Sequence, residues 1–130
     1  MATLNVTLTL ASTDVSSDTL SMTVTDSVTT VAPSVGISTI AADVTGGNSV
    51  ILPAVDATRY VYLKHLGLNA AGGSSGSDQV KVETANGTEI IRLSKDEFAF
   101  FPYYEGGSSD LQLEATANTV QVEYAFFTRG

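Results

Sequence analysis

Residues 96–104 read Asp-Glu-Phe-Ala-Phe-Phe-Pro-Tyr-Tyr and hold five of the ten aromatic side chains of the chain. In a β-strand, alternate residues point to opposite faces, so Phe98 and Phe100 share one face while Ala99 and Phe101 share the other. Burial of one Phe side chain stabilises a protein by roughly 1.5–3 kcal/mol. The stretch therefore predicts a strand that anchors the hydrophobic core, with Phe98 and Phe100 buried in it.

Apolar and polar residues alternate along much of the rest of the chain. Leu4, Val6 and Leu8 are separated by Asn and Thr, a pattern typical of a half-buried strand. Thr, which is β-branched and favours strands, is the most frequent residue at 17, and Ser follows at 14. Close spacing of such segments predicts about ten short strands, and no segment of useful length has a helical period. We predict an all-β chain that folds as an antiparallel β-sandwich or a jelly-roll-like domain.

Four further strands and a turn can be assigned from local patterns. Residues 59–66 carry bulky side chains on both faces, as in a central strand, and residues 119–127 alternate as the closing strand. Asn86-Gly87 lies between two β-prone segments and predicts a hairpin over residues 80–93 with a type I′ turn. Together with Phe98 and Phe100, the residues assigned to the core are Tyr60, Tyr62, Val122, Tyr124 and Phe126.

The two halves of the chain differ in composition. All six Lys and Arg residues and all aromatic residues lie from Arg59 onward, whereas residues 1–58 carry five Asp, no basic residue and no aromatic residue. We predict one β domain over residues 1–130, with an aromatic-rich sandwich core in residues 59–130. Residues 1–58 would supply Thr-rich accessory strands of that sandwich or an assembly arm, because their thin aliphatic faces need another sheet or another subunit to cover them.

Composition excludes several classes of function. The chain has no Cys, which excludes disulfides, thiolate catalysis and Cys-based zinc sites. Its formal net charge of -8 argues against binding to nucleic-acid phosphates. No apolar run approaches the ~20 residues of a membrane helix, and the N-terminal residues lack the basic and apolar regions of a signal peptide. We expect no nucleic-acid partner and no membrane partner.

No set of residues has the spacing of a catalytic or metal site. His65 is the single imidazole, and without a Gly-x-Ser-x-Gly nucleophile motif it indicates a structural or surface role. Residues 72–77 are rich in Gly and Ser but lack the Gly-Lys-Ser/Thr ending of a phosphate loop. Asp78, Glu105 and Asp110 lie in or near loops where oxygens could hold calcium, but no calcium-loop motif joins them. We expect no catalytic residues, no cofactor and no metal.

Tyr103 and Tyr104 are the residues that most favour recognition of a partner. They follow Pro102, which cannot donate to a β ladder, so the strand ends there or lies at a sheet edge. Exposed Tyr side chains are enriched at interfaces, and their rings also stack on sugars. The pair is therefore a candidate interface, although both rings could equally close the end of the core. A carbohydrate-binding module is one alternative function on this ground.

An ordered set of segments runs through the aromatic-rich half. An aromatic strand is followed by a Gly-rich turn and a hairpin, a Lys-Asp-Glu-Phe-Ala-Phe-Phe-Pro segment, a Leu-x-Leu-x-Ala strand and a Val-x-Val-x-Tyr-Ala-Phe strand. The strands and the segment occupy residues 60–64, 95–102, 111–115 and 120–126. In this order the chain resembles small β-sandwich virion proteins of tailed bacteriophages, including capsid decoration (cement) proteins. The resemblance covers residues 50–130 and leaves the first 50 residues without a counterpart.

The resemblance implies a structural protein without catalysis that acts by symmetric assembly. It implies a homo-oligomer, with a trimer favoured, that is made in the host cytoplasm and contacts the major capsid protein on the capsid surface of the virion. Leu4, Val6 and Leu8 are candidate interface residues, because edge strands and apolar strand faces can pair with a neighbour. A tail- or fibre-associated virion component is the alternative within the same class.

Overall fold

The computed structural model describes residues 1–31, 35–44, 49–52, 57–104 and 111–130. These residues form ten β-strands and no helix, and therefore no helix that could cross a membrane. The all-β prediction is confirmed. The strands are Ala2–Ser12 (β1), Leu20–Thr30 (β2), Val35–Ala42 (β3), Ser49–Leu52 (β4), Thr58–Asn69 (β5), Val80–Thr84 (β6), Glu89–Leu93 (β7), Phe98–Tyr104 (β8), Leu111–Ala115 (β9) and Val120–Thr128 (β10).

The ten strands form one two-stranded and two four-stranded antiparallel sheets. Sheet I has the strand order β3-β10-β5-β8, and sheet II has the order β4-β9-β6-β7. Between β3 and β10, consecutive strands lie in different sheets at every connection except β6–β7. This order makes the two sheets a jelly-roll-like sandwich.

One cluster of buried aliphatic side chains lies between sheets I and II. Its largest fully buried members are Val61, Leu63, Val80, Val82, Leu111, Leu113, Val120 and Val122. Since both sheets contribute their inner faces, burial of this cluster is what holds the sandwich together. The assignment of Val122 to the core is confirmed, and Tyr124 and Phe126 pack against the cluster while partly buried.

The prediction that Phe98 and Phe100 are buried in the core is wrong. They lie on the outer face of sheet I, where their side chains are 61% and 36% exposed. Residues paired across an antiparallel ladder share a face, and β8 pairs Ala99 with Leu63 and Phe101 with Val61. Because Leu63 and Val61 are buried between the sheets, Ala99 and Phe101 face inward and the alternate residues of β8 face outward.

Tyr60 and Tyr62 follow the same rule. They alternate with Val61 and Leu63 along β5, so they lie on the outer face of sheet I and are only partly buried. Their assignment to the core is therefore wrong for the same reason as that of Phe98 and Phe100. The strand is central, as predicted, since it pairs with β10 on one side and β8 on the other.

The Thr-rich half divides into two structural parts. β1 and β2 pair along their whole length, from Ala2 with Thr30 to Ser12 with Leu20, and form a hairpin that we call the arm. β3 and β4 instead form edge strands of sheets I and II. At the base of the arm, the Val31 amide donates to the Thr128 carbonyl over 2.9 Å. The arm thus continues from the end of the sandwich at which β10 terminates.

The hairpin between residues 80 and 93 forms as expected, with a different turn. A type I′ turn needs a positive φ at both central residues, but of the pair only Gly87 has one, at 78°. Its amide donates to the Thr84 carbonyl over 2.9 Å, and the register of β6 and β7 shifts after Val82. Gly87 therefore supplies the left-handed residue of a longer loop with a bulge.

His65 holds backbone together inside the sandwich. Its side chain is fully buried, and Nδ1 accepts a hydrogen bond from the Gly67 amide over 2.9 Å. Because a peptide N–H can only donate, the hydrogen of the neutral ring is on Nε2, which donates to the Asp78 carbonyl over 2.9 Å. Both ring nitrogens are thus used in fixing β5 to the loop before β6, which is a structural role.

Candidate partner-binding surface

The arm carries an apolar face whose side chains stay partly exposed beyond the arm's base. Leu8 pairs with Val24 and Leu10 with Met22 across the hairpin, so these four side chains lie on the same face. Together with Leu20 they are between 36% and 51% exposed. A two-stranded hairpin alone is marginally stable in water, and its apolar face gains stability when a second layer covers it. The arm therefore presents a surface suited to packing against another sheet.

The outer face of sheet I is a second apolar surface, which we call the aromatic face. Phe98, Phe100 and Tyr104 project from its edge strand, and the rings of Tyr60 and Phe100 stack in parallel with centroids 6.3 Å apart. Pro102 is tolerated in β8 because this strand lies at the sheet edge, as the sequence indicated. Exposed aromatic rings on an edge strand are characteristic of interfaces rather than of solvated surfaces.

A cleft of about 290 Å³ connects the arm to the aromatic face. Its lining comes from both surfaces: Leu4, Asn5, Val6, Ile37, Tyr62, Phe98, Phe100, Ala125 and Phe127. Liquid water occupies ≈ 30 Å³ per molecule, so the cleft has room for roughly ten waters against mostly apolar walls. Such waters make few hydrogen bonds to the protein, and an apolar side chain that displaces them gains free energy.

The polar side chains in the cleft are already bonded within the chain. The Tyr62 hydroxyl donates to Glu123 over 2.9 Å, and the Asn5 side-chain oxygen accepts from the Ser27 hydroxyl over 2.7 Å. Partial burial, followed by the hydrogen bond to Glu123 and its negative charge, raises the pKa of Tyr62. The phenol therefore stays neutral, and the cleft favours an apolar occupant over a sugar, which needs several polar partners.

The outer face of sheet II has the opposite character. Lys81 contacts Glu114 over 2.9 Å, and Arg92 contacts Glu89 through two bonds of 2.7 and 2.8 Å. The Arg92–Glu89 pair is exposed and contributes little to stability, whereas the Lys81–Glu114 pair is partly buried. Of the two outer faces of the sandwich, the aromatic one is therefore the surface suited to a partner.

Glu83 is a buried carboxylate on this charged face. Its side chain is 5% exposed, and its Oε1 atom has no hydrogen-bond partner among the described residues. Burial, and then the negative charge of Glu114, raise the pKa of Glu83. A buried acceptor without a partner costs roughly 1–3 kcal/mol, so the ionised form of Glu83 destabilises the fold at neutral pH.

We expect Glu83→Gln to stabilise the protein at neutral pH by about 1 kcal/mol. Folding raises the pKa of Glu83, so protonation of this side chain favours the folded state. The resulting contribution to stability is complete below the unfolded-state pKa and is lost as pH rises through the folded-state pKa. The gain from the Gln variant should therefore shrink towards about pH 4, where wild-type Glu83 is protonated too. Urea unfolding of both proteins, at neutral pH and at about pH 4, measures the difference in their free energies of unfolding.

Glu89→Gln is the matched control for this substitution. The hydrogen bond from Arg92 lowers the pKa of Glu89, so its contribution is present at neutral pH and is lost on acidification. This variant should be less stable than wild type at neutral pH, the opposite sign to Glu83→Gln. A Gln variant at position 83 that is destabilised at neutral pH would contradict the assignment.

The residues predicted to form an interface fall into two groups. Leu4 and Val6 line the cleft, and Leu8 continues the apolar face of the arm beyond it. Tyr104 is 64% exposed on the aromatic face, but Tyr103 faces inward and meets Phe101 edge to face, with ring centroids 6.4 Å apart. Tyr103 was expected at an interface, and its position against the core corrects this. The two Tyr rings do not form a joint platform for a sugar.

Other candidate sites are not assembled in the described residues. In the ranges that the structure covers, no three His, Asp or Glu side chains lie close enough together to hold a metal ion. Of the possible calcium ligands, Glu105 and Asp110 lie outside the described residues, as do residues 106–109. Asp78 accepts a side-chain hydrogen bond from Asn118 over 2.9 Å.

The sequence did not show that Phe98, Phe100 and Tyr104, in the densest aromatic stretch, lie on the surface. The available signal was that β5 and β8 carry large side chains on both faces, so hydrophobicity alone did not distinguish inside from outside. Pro102 marked β8 as an edge strand, which is where an exposed aromatic row is most accessible to a partner. The sequence also did not predict that Arg59 is buried. Its guanidinium lies 5.1 Å from the centre of the Phe126 ring.

Comparison of the chain with family models, with curated proteins and with solved structures finds no match.

Proposed function

We propose that this chain is a non-enzymatic structural protein of a tailed-phage virion, a cement or decoration protein of the capsid. In this role it forms a homo-oligomer, with a trimer favoured, and binds the major capsid protein so as to bridge neighbouring capsomers. The observation that carries the proposal is the pairing of an uncovered apolar arm with an exposed aromatic face. Both surfaces are costly for a monomer in water and useful in a lattice.

The size of the apolar surface supports an assembly role. The large exposed side chains of the arm and the aromatic face together offer on the order of 900 Å² of accessible area, counting about 60–150 Å² for each. Each of the two surfaces thus offers roughly 400–500 Å², and the largest apolar patch on a typical monomer, which is often functional, is itself about 300–600 Å². The residues counted are Leu8, Leu10, Leu20, Met22, Val24, Ile37, Phe98, Phe100 and Tyr104.

The shape of the chain supports bridging. Strands of 11 residues at about 3.3 Å per residue give the arm a length of roughly 35 Å, comparable to the diameter of a small domain. The arm can therefore reach a neighbour while the sandwich stays on its own site. The jelly-roll-like order of the sandwich is also one that viral capsid domains use, although the same fold serves lectins.

The assignment to the virion rests on the ordered segments of residues 60–126, and immunogold electron microscopy tests it. An antibody against the chain should label the heads of virions of the phage that encodes it, evenly over the shell. Label confined to the tail or fibres would favour the alternative virion role. Virions that carry no label in either place would overturn the proposal.

A further inference from the structure

We propose that the arm of one copy packs its apolar face on the aromatic face of a second copy of this chain. The arm's large side chains would enter the cleft between the neighbour's own arm and its sheet I. This inference rests on the proposed assembly function and identifies which surfaces join the copies. Each of the two exposed apolar surfaces would then be covered by another copy of this chain.

The area that must be buried favours this pairing over the simpler ones. A standard interface buries about 800 Å² per partner. The arm alone offers less than half of the roughly 900 Å² estimated above, so arm-to-arm contact between two copies falls short of that size. Exchange of arms uses both the arm and the aromatic face of every copy, so about 900 Å² per copy is buried, in one interface when two copies exchange arms and divided between two neighbours in a ring of three.

The described part of the sandwich leaves the apolar face of its own arm partly exposed. Contacts near the base bring Leu4 and Val6 to the cleft, and Thr30 pairs with Arg129. Beyond the base, Leu8, Leu10 and Met22 remain about two-fifths exposed. The paired register of β1 and β2 runs without a break to Ser12, so the hairpin has no bulge at which it would fold back.

The two surfaces also match in layer geometry. The arm presents one apolar and one Thr-rich face, and the aromatic face is the outer side of a four-stranded sheet, with exposed rings on β8. Two sheets pack face to face at about 10 Å when each turns an apolar side inward. A neighbour's arm would therefore add a third layer to the sandwich, with its Thr face outward.

Sedimentation of full-length variants measures the contribution of the arm. Leu10→Asp on the apolar face should raise the dissociation constant of self-association by at least about 30-fold, because it buries a charge in an apolar contact. Thr9→Asp, one residue away on the polar face, is the matched control and should change it less than about 3-fold. Equal effects of the two substitutions, or a wild-type chain that stays monomeric at tens of micromolar, would overturn the inference.

Both positions are exposed, so the variants should fold, and thermal unfolding of each is measured alongside. If Leu10→Asp does not fold, Met22→Asp replaces it, since Met22 pairs with Leu10 on the same apolar face. The same 30-fold criterion applies to it.

Disulfide cross-linking identifies which surface the arm contacts. Because the chain has no Cys, the introduced residues are the only thiols that can react. We would mix a Leu10→Cys chain with a Phe98→Cys chain and oxidise. Arm exchange predicts a covalent dimer in the mixture and little in either variant alone. A dimer from Leu10→Cys alone would mean that arms pack on arms, and no dimer in any tube would mean that the copies meet elsewhere; either result overturns the inference.

Failure of this inference can be told from failure of the proposed function. Virions labelled by the antibody, together with a chain that gives no cross-link, would leave the cement role standing and remove arm exchange. Cross-linked chains that never label virions would do the reverse.

Discussion

Deletion of residues 1–26 is expected to leave a folded sandwich that no longer self-associates. The deletion removes β1 and most of β2, which pair with each other, but keeps the buried Thr30 and its pairing with Arg129. None of the core cluster between sheets I and II lies in the deleted segment. Because the proposed contact between copies runs through the arm, the truncated chain should behave as a monomer.

Circular dichroism and sedimentation of the truncated chain check both parts of this expectation. The chain should keep a cooperative thermal transition, with a midpoint within a few degrees of wild type. Its dissociation constant should rise beyond the measurable range, which is at least about 100-fold for a contact of this size. A truncated chain that fails to fold would show that the arm is part of the sandwich, and one that still associates would show that the arm is not the contact.

Leu113→Ala is expected to destabilise the protein by about 3–4 kcal/mol, since deletion of a buried Leu side chain costs 2–5 kcal/mol. Leu113 is fully buried in β9, where it pairs with Val82 of the neighbouring strand. The cost combines lost transfer free energy with the cavity left between the two sheets. Urea unfolding measures it, and the midpoint of thermal unfolding should fall by roughly 10 °C.

Phe98→Ala is the contrasting variant. It removes a larger side chain, yet Phe98 lies on the aromatic face, so the cost to stability should be under about 1 kcal/mol. Its effect should appear instead as weaker association between copies. If Phe98→Ala destabilises the monomer as much as Leu113→Ala does, then Phe98 belongs to the core after all and the aromatic face is wrongly assigned.

These contrasts place the two kinds of hydrophobic residue in different roles. The aliphatic residues of sheets I and II stabilise the sandwich itself, whereas Phe98, Phe100 and Tyr104 of β8 are exposed on its outer face. The outer face of sheet II instead carries charged side chains, with ion pairs at Lys81 and Arg92. The chain thus has one face suited to assembly and one suited to solubility.

The sequence by itself determined the secondary structure and which residues share a face. Alternation in residues 3–10 and in the closing strand reports the pleat directly, because the side-chain period of a strand is fixed at two. The all-β class, the hairpin of residues 80–93 and the core position of Val122 follow from such local rules.

Only the tertiary structure decided which face is inside. In β5 and β8 both faces are bulky, so burial depends on which side meets sheet II, and the pairing of Leu63 with Ala99 settles it. For the same reason, the sequence did not decide whether residues 1–58 join the sandwich or form an arm. Their strands look alike in sequence, but β3 and β4 pair with edges of the sandwich, whereas β1 and β2 pair with each other, apart from a bridge between Thr30 and Arg129, and leave an apolar face partly exposed.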